Sequence, residues 1–310
     1  MKLAIPILFA LTTALWGQAE RRTYVFDTEG RRVPWLSSSA SNGTSSESVA
    51  NMNGRTATLE QVEERILSES GGVKTVEKTI RRFAADGTRL PPERVITETA
   101  DLGGGRQTTT TTVYRGDLNG GMALAERTVA QTNPSGTAGS VVTTQTDRPT
   151  LNGSLETVEN KEARLTASGE KSERDETSYR PDGNGRFVEA ARVVERASKE
   201  GGKTVVQKDE YEAAPTGQLA LSRQVVATTM VSANGEVTVS DVYGSAATGR
   251  PATGQLQLRE RQILEKSLGA KGSTETFSIQ RPDVDGSGRL GEVHRISETV
   301  CTGKCGPAKP

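Results

Sequence analysis

The densest run of oxygen ligands in the sequence is Asp283, Asp285 and Ser287, followed by Gly288 and, two residues on, Leu290. That spacing opens a calcium loop of the EF-hand type, with oxygens at positions one, three and five, Gly at six and an apolar residue at eight. Position twelve, where calcium wants a bidentate Glu, is His294, and neither flank has a helical pattern. The same residue types build hairpin turns, as at Asp117 to Gly120 and Asp182 to Gly185, so calcium is the one cofactor to test and the bland reading is a turn. Cys301 and Cys305 are the only cysteines. In an exported chain an even pair is most simply a disulfide, here closing a small loop, with free thiols or an intermolecular link as the other readings. His294 is the only histidine, no Ser or Cys nucleophile sits beside a base, and the carboxylates are spread evenly. No catalytic constellation emerges, and the expectation is a protein without enzymatic activity.

Aromatic residues precede turns at Phe83, Tyr114, Tyr179, Tyr211 and Tyr243. The four tyrosines recur at equivalent positions and form a candidate binding face, either a row on which sugar rings stack or a set of packing anchors at strand ends. Arg115-Gly116-Asp117 spells an adhesion tripeptide, and it also reads as a strand end entering a turn. The segment Tyr179 to Phe187 superficially resembles the tyrosine-aspartate repeats of bacterial shell and toxin-delivery proteins. It differs from them in period and in the distance from aromatic to glycine, and reads as convergent turn chemistry.

These residues are carried by a repeat. Glycines fall at 71, 104, 136, 169, 202, 235 and 272, and a second series, offset by half a period, at 87, 120, 153, 185, 217, 254 and 288. The period is about 33 residues, with one insertion of about four between Gly235 and Gly254. Segments between glycines are rich in Val, Thr, Arg and Glu, as antiparallel strands joined by short turns require. TLEQVEERILSES has good helix formers, but its Glu64-Arg65-Ile66 aligns with Glu93-Arg94-Val95 of the next repeat, so it too reads as strand. In QLALSRQVVATTMVSA strict alternation places Leu219, Leu221, Val225, Ala227 and Val231 on one face, with Gln218, Ser222, Gln224 and Thr228 on the other.

The expected fold is all-β: a long antiparallel meander of about 15 strands built from two-stranded repeats, a twisted or rolled single sheet, with a closed barrel as the alternative. Residues 1–19 have the layout of a signal peptide, with Lys2, an uncharged run and small residues before cleavage near Ala19. Residues 20–57 read as an N-terminal strand and a flexible Ser-rich linker, 58–300 as the β-repeat domain, and 301–310 as a Cys-containing tail. Lys plus Arg (39) balance Asp plus Glu (39). They are interleaved, which excludes the basic stripe that nucleic acid binding needs. A transmembrane barrel needs an apolar band and two aromatic girdles. Charges fall on both faces of many strands and aromatics are only 4% of residues, so no membrane insertion is expected. The expected role is an exported structural scaffold, secreted, periplasmic or at the cell surface, self-associating through its sheet edges. The second reading is a binding module for an extracellular polysaccharide or protein partner.

Overall fold

In a computed structural model of the chain, the described residues are 19–303, except 42, 51–55, 85, 118–119, 137, 215, 245–255, 270–271 and 284–288. They form 18 strands. The first six are β1 (Ala19–Phe26), β2 (Arg32–Ser41), β3 (Thr44–Ala50), β4 (Thr56–Ser70), β5 (Val73–Arg82) and β6 (Glu93–Gly103). The next six are β7 (Arg106–Gly116), β8 (Met122–Ser135), β9 (Gly139–Pro149), β10 (Leu155–Ser168), β11 (Lys171–Pro181) and β12 (Phe187–Glu200). The last six are β13 (Lys203–Ala213), β14 (Leu219–Ser232), β15 (Gly235–Gly244), β16 (Gln257–Gly269), β17 (Gly272–Gln280) and β18 (His294–Gly303).

Every strand pairs antiparallel with its sequence neighbours, and β1 pairs with β18 from Ala19↔Gly303 to Val25↔Ser297. The sheet is therefore a closed barrel. Following partners from Val73 through Ala100, Thr108, Gln131, Thr143, Glu162, Thr177, Arg192 and Tyr211 to Leu221 crosses nine strand pairs. The path begins at the foot of β5 and ends at the opposite rim. Such stagger is what tilted strands must accumulate to close.

Closure corrects several expectations. The open or rolled sheet of about 15 strands is a closed barrel of 18. The Ser-rich segment is no linker: Ser37 to Ser41 pair with Thr44 to Ser48 in the β2–β3 hairpin. The scaffold role and self-association through sheet edges fail because the first and last strands satisfy each other and no edge remains to propagate. The broad polar sheet face of the binding-module reading is here the wall of a closed barrel. The expectation of no membrane insertion fails too. A closed barrel satisfies its backbone groups within the wall, the condition strands must meet to enter a membrane.

The rims differ. One carries two-residue turns such as Gly71-Gly72, whose φ values of 59° and 78° suit the type I′ geometry that matches strand twist. Both ends of the wall, Ala19 and Gly303, lie at this rim. The other rim carries longer connectors. In that at 182–186, Asp182 N–H donates to Arg186 O, and the Asp182 carboxylate accepts from the N–H groups of Asn184 and Arg186. The Asp and Asn of these segments thus serve turn geometry.

A bulge interrupts one pairing in each repeat near the connector rim: at Tyr24, Tyr114, Tyr179, Tyr211 and Tyr243 the register shifts immediately before the tyrosine. All five tyrosines of the protein sit at such bulges. A bulge reverses the parity of the partner strand. In β14 Leu219 and Leu221 therefore share a face with Gln224 and Thr228, while Val225 and Ala227 take the other, contrary to strict alternation.

With strands about 4.8 Å apart and tilted about 40°, 18 strands enclose a wall of about 18 Å radius, leaving a lumen about 25 Å wide after side chains. No described side chain is fully enclosed. Among the described residues the barrel has no packed core.

Candidate functional site: two rings at the connector rim

Chirality assigns the two faces of the wall. Phe83 N–H donates to Leu59 O and Gly116 N–H to Pro92 O, so residues of this parity bond to the preceding strand. For L-residues their side chains then point to an observer who, with the connector rim uppermost, sees strand order run leftward. Following partners leftward climbs to the connector rim, so the strands lean right from that side. The fixed twist of β-sheets produces this lean only when a barrel is seen from outside. The tyrosines and their register partners therefore face outward, and the opposite parity lines the lumen.

On the lumen face the repeat produces a ladder of directly opposed carboxylates and guanidiniums. Glu60, Glu93, Glu126 and Glu159 are each 33 residues apart, and Arg82, Arg115, Arg148 and Arg180 stand opposite them on β5, β7, β9 and β11. The distances are 2.9 Å for Arg82–Glu60, 3.4 Å for Arg115–Glu93, 3.0 Å for Arg148–Glu126 and 3.0 Å for Arg180–Glu159. Arg82 also lies 3.9 Å from Glu93, which joins two rungs. Arg281–Glu260 at 3.8 Å and Arg223–Glu210 at 3.6 Å continue the pattern further round. Over β4 to β11 the sign alternates from strand to strand with a period of about 10 Å, so its field cancels within a few ångströms of the wall.

The outer face has two levels. At the rim Tyr114 faces Leu124, Tyr211 faces Leu221 and Tyr243 faces Leu258 across the bulges. Tyr24 and Phe26 continue this level on β1, with Arg32 stacked 3.7 Å from the centre of the Tyr24 ring. Beneath run paired charges. Arg192 grips Asp175 through two bonds of 2.8 and 2.6 Å, and Arg261 grips Asp241 through two of 2.7 and 2.9 Å. Glu77, only 3% exposed, accepts from both Arg65 and Arg94. Buried Asp209 accepts from Arg196, Gln207 and Gln224. Bidentate and shared pairs of this kind leave little unsatisfied charge.

The four tyrosines singled out by sequence, Tyr114, Tyr179, Tyr211 and Tyr243, thus share one face and one level, each partly exposed. Asp283 begins the β17–β18 connector, its N–H donating to Arg289 O, while Asp285 and Ser287 lie outside the described residues. Cys301 is buried on the lumen side of β18, and Cys305 lies outside the described residues. His294 opens β18 at the connector rim. The ladder was not recognised from sequence, although the 33-residue spacing of Glu60, Glu93, Glu126 and Glu159 could have shown it.

No family model matches the chain, and no curated protein matches it. Among solved structures it is similar to OccK3 (OpdO) of Pseudomonas aeruginosa, with 10% identity, 92% of each chain covered and a TM-score of 0.49. It is also similar to CdiB from Acinetobacter baumannii, with 9% identity, 92% of this chain and 59% of that one covered and a TM-score of 0.32. Likeness at these levels carries no functional argument, which must come from the wall itself.

Proposed function

We propose that the chain is a wide aqueous conduit of the cell envelope, passing hydrophilic solutes without catalysing their conversion. The observation that supports it most is closure of 18 strands around a lumen that the described side chains do not fill. Barrels of this strand number leave an aqueous channel. The topology agrees: an even number of antiparallel strands, short turns at one rim and longer connectors at the other, and both ends of the wall at the short-turn rim. The signal-peptide layout read in residues 1–19 would fit an envelope location. The paired charges on the outer face set the terms of the test, since an outward Arg or Lys at a bilayer midplane costs about 2–4 kcal/mol.

The experiment is reconstitution of the purified chain into planar lipid bilayers, with polymer exclusion to size the opening. Stepwise conductance blocked only by polymers approaching about 25 Å in diameter is expected. A chain that keeps its β-sheet signature yet gives no current, or whose current is blocked by much smaller polymers, would overturn the proposal.

A further inference from the structure

We infer that the connector rim carries an outward aromatic collar that docks the barrel on a lipid surface. Tyr24, Tyr114, Tyr179, Tyr211 and Tyr243 all face outward at one level, on β1, β7, β11, β13 and β15. Phe26 and Phe187 lie on the same side, and Phe187 is 40% exposed. Trp35, the residue skipped by the β1–β2 bulge, is 49% exposed near the same rim. No described tyrosine or tryptophan lies near the short-turn rim. Tyr and Trp, with an apolar body and a polar tip, are the side chains favoured where water meets lipid.

Geometry selects the occupant. A band that circles a barrel at constant height can be covered all at once only by a planar phase surrounding it, and a protein partner would contact one arc. The band is also shallow. From the tyrosines to the outward charge row is about one residue pair, and Arg94↔Tyr114 and Arg192↔Tyr211 are direct cross-strand partners. The rings themselves reach about 5–10 Å, the depth at which interfacial side chains sit, and mark the level at which the barrel meets the lipid surface.

The test is flotation of the protein with phosphatidylcholine vesicles, comparing the parent chain with the Tyr114→Ser, Tyr211→Ser, Tyr243→Ser variant. A Trp16→Phe background leaves Trp35 as the sole tryptophan. Its quenching by lipids brominated at different depths reports immersion without relying on the triple variant to fold. Expected are flotation of the parent, binding about tenfold weaker or worse in the variant, and quenching of Trp35 only by shallow bromines. No flotation, equal flotation of the variant with its sheet intact, or quenching from the bilayer centre would each overturn the collar. Conduction is a separate question: a barrel that floats and passes no current would keep the collar and lose the conduit.

Discussion

Gly272→Ala should disrupt the seam beside β18, and the closeness of the two strands sets the size of the effect. Gly272 opens β17 with φ of 155°, an extended conformation of reversed hand that only glycine adopts easily. A Cβ built there lies 1.9 Å from the carbonyl oxygen of Cys301 in β18. The oxygen would have to retreat by about an ångström, which breaks the local ladder of about two hydrogen bonds at about 1 kcal/mol each. Backbone strain adds about 1–3 kcal/mol, giving about 3–5 kcal/mol. Gly153→Ala is the control: its φ is 83°, but a Cβ meets nothing within 4 Å, so only the left-handed conformation opposes it, at about 1–2 kcal/mol. For a wall of this length each kcal/mol moves the unfolding midpoint by about 2 °C. Thermal unfolding followed by circular dichroism should therefore fall by about 6–10 °C for Gly272→Ala and about 2–4 °C for Gly153→Ala. Equal shifts, or a wild-type midpoint for Gly272→Ala, would refute the close packing of β17 on β18. Gly235→Ala should behave like Gly272→Ala, because its Cβ lies 1.9 Å from Lys266 O one repeat earlier.

Three further outcomes are expected. Removing one sign of the lumen ladder with Arg82→Gln, Arg115→Gln and Arg148→Gln leaves Glu60, Glu93 and Glu126 without their opposed partners. A weakly selective conduit should then favour cations, read as a shifted reversal potential in a salt gradient, and an unchanged potential would show that the ladder does not face the lumen. Glu77→Gln removes the anion that Arg65 and Arg94 share in a buried setting, and should cost about 1–3 kcal/mol in denaturant unfolding, whereas the exposed Glu29→Gln should cost nothing measurable. The connector carboxylates respond to acid: Asp27 is held below its usual range chiefly by the N–H of Arg31, and Asp86 by that of Thr88. A depressed folded value gives stabilisation that is present above the unfolded pKa of about 3.9 and is lost as pH falls through the folded value. Hydrogen exchange should show these two connectors loosening only below about pH 4, and loosening already at pH 6 would contradict the assignment.

Much of the fold was legible because its determinants are local. The 33-residue period, the hairpin glycines and the β-branched runs such as Thr108 to Val113 each fix conformation within a few residues. The same locality located the tyrosines at equivalent positions and marked Asp182 to Gly185 as a turn. TLEQVEERILSES showed the limit of local propensity: it is strand in β4 because both neighbouring strands pair with it.

The repeat, its antiparallel hairpins and the chemistry of its turns are set by neighbours along the chain. Tertiary structure decided closure, because Ala19 and Gly303 meet only after the stagger of every intervening strand has accumulated. It also decided which face each side chain takes. A bulge before each tyrosine reverses parity within a strand, so alternation read along β14 grouped Leu221 with Val225, while the paired register puts them on opposite faces. The ladder of Glu60, Glu93, Glu126 and Glu159 acquires its partners, and the tyrosine row its outward direction, only from that register and from the hand of the closed wall.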